Sequence, residues 1–137
     1  MDLADGTATE LLGLYRSGQA SPVEAMQQVL DRVAQVNPQL DAFAYLDPEA
    51  GLAAARTSEQ RWQAHRADGS PVGDLDGVPI TIKDIILVAG WPTLRGSRTV
   101  DPNQTWDVDA PATARIREAG GAIFGKTTSP EFGCKAE

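Results

Sequence analysis

Two short apolar runs, residues 78–82 and 122–124, limit most how this 137-residue chain can fold. Val78-Pro79-Ile80-Thr81-Ile82 and Ala122-Ile123-Phe124 are dominated by β-branched and large apolar residues, and glycine punctuates both. That is the pattern of buried strands. Between them, residues 109–119 have helical spacing. Asp109 is the expected N-cap, Ala112, Ile116 and Ala119 the inward positions, and Arg115, Arg117 and Glu118 the outward ones. Gly120-Gly121 is the stop. Strand, helix, strand in that order predicts a parallel pair joined by a right-handed crossover. The first strand, over 78–83, ends at Lys83, where open α/β sheets place their sites.

The residues before this unit read as helical. Thr7 and Glu10 have capping-box spacing and open a helix over 7–17 that Gly18 can end. Ser21, Pro22 and Glu24 repeat the device for a helix over 21–36. There Val23, Met26, Leu30 and Val33 form a core-facing stripe and Asn37-Pro38 is the expected end. Residues 42–46 form a short apolar run with strand character. Asp47-Pro48 opens an alanine-rich helix over 48–65, with Leu52, Ala55 and Trp62 on one side. His65, the single histidine, reads as a solvated or C-terminal capping residue. Residues 84–88 read as a turn or second strand, 90–107 as irregular, and Ser129-Pro130 as the start of another short helix. The expected fold is α/β: N-terminal helices over 1–70, then from residue 71 a βαβ unit of a mixed or parallel sheet with helices packed on it.

Composition removes several function classes. The formal net charge is −7, from 19 acidic and 12 basic residues. Nucleic acids and anionic membranes call for a basic patch, so neither is an expected partner. No apolar run reaches the roughly 18 residues that a membrane span needs. The single cysteine, Cys134, allows no internal disulfide and reads as a small packed residue, which suits a reducing cytoplasm. The start of the chain lacks the basic and apolar run of a signal peptide, so Asn103-Gln104-Thr105 carries little weight as a glycosylation acceptor.

Chemistry points first to Lys83. A lysine at the end of a buried strand sheds hydration, which favours its neutral amine as a base or imine-forming group. The plainer alternative is a solvated lysine paired with Asp84 or another carboxylate. A second stretch, residues 120–127, matches the phosphate-loop pattern G-x-x-x-x-G-K-[ST] letter for letter. That motif needs a strand leading in, a flexible loop, and a helix starting at Lys-Thr. Here a helix leads in and the middle residues favour strand, so the nucleotide-binding reading is set aside.

Lys83 belongs to a longer series of blocks. Residues 73–84 read GDLDGVPITIKD. They are followed by Gly90-Trp91-Pro92-Thr93, Gly96-Ser97, Asp109-Ala110-Pro111, residues 119–127 and Glu131-Phe132. In this order and spacing the stretch from 73 to 133 resembles the opening of the amidase signature family, and the earlier residues fit that family only loosely. The resemblance implies hydrolysis or transfer of carboxamides, linear or aryl, through a serine acyl-enzyme, with no metal or cofactor. The implied triad is a serine nucleophile, a second serine after a cis peptide bond, and a lysine, with Lys83 at the lysine position. Neither Ser97 nor Ser129 matches the family's serines. The chain is therefore expected to be an N-terminal piece of a larger amidase, inactive alone, acting on a small-molecule amide. One alternative is a protein like the A subunit of glutamyl-tRNA amidotransferase, working with subunit partners. The other is a non-catalytic α/β interaction module. Homo-oligomers remain open.

Overall fold

A computed structural model describes residues 2–135. Each of the first helices begins on a reciprocal cap. The Thr7 hydroxyl accepts the Glu10 N–H at 3.3 Å while the Glu10 carboxylate accepts the Thr7 N–H at 2.8 Å, opening α1 (Ala8–Ser17). Ser21 and Glu24 do the same at 3.2 and 2.8 Å for α2 (Pro22–Leu40). Asp47 caps α3 (Pro48–Asp68) through the Ala50 N–H at 2.9 Å. These caps satisfy backbone donors that a helix start leaves orphaned.

Several boundaries differ from expectation. Asn37-Pro38 does not close α2, which runs on to Leu40. Pro38 sits in the last turn and gives no N–H to the carbonyl four residues back. Asn37 anchors the end: its carbonyl accepts the Asp41 N–H and its side chain the Ala42 N–H, both at 2.8 Å. Helix α3 passes residue 65 and ends at Gly69 in the left-handed conformation. In α4 (Pro111–Glu118) the N-cap is Ala110, without a side-chain bond, and not Asp109. The Asp109 carboxylate is drawn away by the Ala89 N–H at 2.7 Å and Arg117 Nε at 2.9 Å. Thr113 is the buried residue of α4, its hydroxyl bonded to the Leu87 carbonyl at 2.7 Å, and Ile116 packs inward as expected, whereas Ala112 is exposed. Ser129-Pro130 leads only into a 3-10 turn, Glu131–Gly133. Cys134 is exposed, not packed.

The sheet has the order β1-β3-β2, with β1 at Phe43–Leu46, β2 at Pro79–Lys83 and β3 at Ala122–Thr127. The central β3 runs parallel to β2 and antiparallel to β1, so the sheet is mixed. One core layer lies between the sheet and α2 and α3: Met26, Ala55, Ala122 and Phe124 are buried there. Helix α3 comes so close that a Cβ on Gly51 would lie 2.5 Å from Phe124 Cβ, so only glycine fits. On the other face Ile82, Val88, Trp91 and Ile123 are buried, with Ile116 of α4 packed against them. A third cluster, with Leu11, Tyr15 and Trp62, sits under the N-terminal helices. His65 is half-buried, edge-on to Trp62 and bonded through Nδ1 to the Ser70 carbonyl at 2.8 Å. It is therefore more engaged than a solvated cap.

A bulge sets the faces of β3. Ile80 pairs with Ile123, but Thr81 pairs with Gly125, so Phe124 is the extra residue. A bulge reverses the side-chain alternation beyond it. Lys126, paired with Ile82, therefore lies on the Ile82–Val88–Trp91 face. Lys83, paired with Thr127, lies on the opposite face with Thr81.

Candidate functional site

The carboxyl ends of β2 and β3 converge with two irregular segments, residues 92–99 and 128–133. Backbone bonds lock them together. The Asp84 N–H reaches the Thr127 carbonyl at 3.0 Å, the Arg95 N–H the Asp84 carbonyl at 3.0 Å, and the Phe132 N–H the Arg95 carbonyl at 2.7 Å. Gly96 is required at the crossing. Its φ is 64°, and a Cβ there would stand 2.3 Å from the Ser129 carbonyl. Ser97 is buried and its hydroxyl donates to Glu131 Oε1 at 2.7 Å, a tie between the two segments.

Lys83 stands at the last position of β2, as the sequence predicts. Its burial is different. The side chain is exposed, and its Nζ donates to the Thr128 carbonyl. Asp84 does not pair with it. The Asp84 carboxylate is buried and bonds Lys126 Nζ at 2.9 Å. Among the described residues no carboxylate pairs with Lys83.

The lysine that does lose water is Lys126, which is 0% exposed. Besides Asp84 it bonds the Pro92 carbonyl at 3.0 Å and the Thr93 hydroxyl. Burial pushes its ammonium below the ordinary 10.5; the Asp84 carboxylate opposes that shift and the Arg95 charge adds to it. With three oxygen acceptors, the buried ammonium is satisfied. This ends the phosphate-loop reading: residues 122–127 are strand, Gly120 is left-handed behind α4, and Lys126 points inward. Sequence reasoning did not single out Lys126 as a buried cation, because simple alternation along β3 puts it on the other face. Beside Thr93 lies an open cleft of about 390 Å³, lined by Leu87, Arg95, Trp106 and Val108 among others, and Lys83 is not part of its lining. Ser129 bonds the Pro130 carbonyl at 2.9 Å and is not joined to Lys83. No cluster of three or more His, Cys, Asp or Glu that could hold a metal occurs among the described residues.

The Amidase family model matches residues 24–137. The A subunit of glutamyl-tRNA(Gln) amidotransferase from Salinispora tropica is 39% identical over 133 residues, covering 96% of this chain and 26% of the relative. Among solved structures, a bacterial aryl acylamidase of the amidase signature family superposes with a TM-score of 0.82 at 28% identity, over 93% of this chain and 26% of that one. The peptide amidase from Stenotrophomonas maltophilia gives 0.79 at 30% identity, over 93% and 26%. The fold and the site define an α/β segment whose lysine stands at a sheet's carboxyl end. The chain belongs to the amidase signature family and spans about a quarter of the length of these relatives.

Proposed function

We propose that this chain is the lysine-bearing segment of a carboxamide-cleaving acyl-transfer enzyme, with Lys83 as the base of a serine, cis-serine, lysine triad. Both serines and the oxyanion hole would come from chain outside residues 1–137. The observation that carries the reading is the state of Lys83. It is exposed at the carboxyl end of β2, anchored by a backbone carbonyl, and paired with no carboxylate among the described residues. A neutral amine held by one N–H to a carbonyl keeps its lone pair for a proton from the second serine, which then accepts one from the nucleophile. In the whole protein that contains this chain, Lys83→Ala should lower kcat by at least about 10²–10⁴ with little change in folding. Lys83→Arg should not rescue, because a guanidinium stays protonated. An active Lys83→Arg enzyme would refute the base.

A second reading has its own support. The amidotransferase A subunit from Salinispora tropica is 39% identical across nearly the whole chain, above the 28% and 30% of the two solved amidases. Under that reading the amide chemistry works within a complex and supplies ammonia to a partner. Co-purification of the tagged whole protein with stoichiometric partner subunits would favour it, and turnover of simple amides by the protein alone would favour the free amidase. Placement in the cytoplasm is part of both readings.

A further inference from the structure

Lys83 and Asp84 are neighbours, and an adjacent carboxylate would ordinarily hold an ammonium in its charged form. The structure separates them. Asp84 turns onto the Ile82 face, where Lys126 bonds its carboxylate at 2.9 Å, while Lys83 lies on the other face and reaches only a carbonyl. Lys126 can do this because the bulge at Phe124 brings it to that face and because Thr93 and Pro92 fill its remaining bonds.

We propose that Lys126 is a positioning residue: it sequesters the Asp84 carboxylate and so leaves Lys83 free to give and take a proton. The proposal rests on Lys83 being the base. Arg95, Glu131 and Tyr45 are ionisable groups on elements packed here. Arg95, on the 92–99 segment, acts on Lys126 against Asp84. Glu131 is held by Ser97. Tyr45 lies opposite Lys126 on β1 and is packed on Trp91. None of the three takes Asp84 from Lys126.

The test reads the proton on Lys83 directly, through pH-dependent acylation by acetic anhydride quantified on the Lys83 peptide by mass spectrometry. Circular dichroism confirms that each variant is folded. Lys126→Met removes the cation that holds the Asp84 carboxylate, and an Asp84 that stays charged and turns back toward Lys83 should move the labelling midpoint up. Asp84→Asn should leave it in place or lower it. The double variant, in which both charges are gone, should return to within a few tenths of wild type. A midpoint unmoved in folded Lys126→Met, or moved equally in the double variant, would overturn the proposal. If Lys126→Met does not fold, the double variant decides, and a midpoint there that falls as far as in Asp84→Asn refutes the idea. In the active whole protein the pH at which kcat/KM rises should follow the same pattern. Activity surviving Lys83→Ala would sink the base reading while leaving the labelling pattern to stand or fall by itself.

Discussion

Asp76 carries the densest set of polar bonds near the start of β2. Its carboxylate accepts Ser58 Oγ at 2.5 Å, Arg61 Nε and Nη2 at 2.7 Å each, and the Gly73 N–H at 3.2 Å. Its carbonyl accepts the Trp62 indole N–H at 3.0 Å. Burial pushes the Asp76 carboxyl up, but the bonds from Arg61, Ser58 and Gly73 and the Arg61 charge outweigh it and hold the group below its ordinary 3.8. The unfolded chain therefore takes up a proton near 3.8 while the folded chain resists. The stability this group contributes is present above that value and is lost as pH falls through the lower folded value. Removing the charge strands a partly solvated Arg61, so Asp76→Asn should cost about 2–3 kcal/mol at neutral pH. Urea unfolding should show the gap between wild type and variant closing only below about pH 4. A gap that is constant down to the acid transition would mean that shape, and not charge, is what Asp76 supplies.

At the scale of elements, local chemistry and distant contacts divide the work. The two capping boxes are legible in Thr7-Glu10 and Ser21-Glu24 because each is closed within four residues. Ser21→Ala should therefore lower stability by about 1 kcal/mol in denaturant unfolding, with the midpoint shifted and the slope unchanged. A loss well under half of that would show α2 held by packing alone. The start of α4 escaped the same reasoning because Asp109 is claimed by Ala89, across the 84–107 segment, and by Arg117. The end of α2 escaped it because Asn37 supplies both its carbonyl and its side chain to the residues after Leu40.

At the scale of the whole molecule, a three-stranded sheet leaves β1 and β2 as outer strands among the described residues. Leu40, Leu46, Ile85, Val108 and Phe132 are exposed large apolar side chains. Unpaired edges and exposed apolar surface favour association. The isolated 137-residue chain should self-associate or bind a hydrophobic dye at micromolar concentration, by light scattering and fluorescence. A dye-silent monomer with strongly protected strand amides would instead mark residues 1–137 as self-sufficient, and the non-catalytic module would gain ground. The sequence by itself determined the order of helices and strands, the parallel pairing of β2 with β3, and Lys83 at the end of β2. Each of these follows from short-range periodicity, caps and chain connectivity. Only the tertiary structure decided which lysine is buried. One extra residue in β3 turns Lys126 onto the face where Asp84 and Thr93 wait, and a bulge is a property of two paired strands that neither strand's own alternation contains.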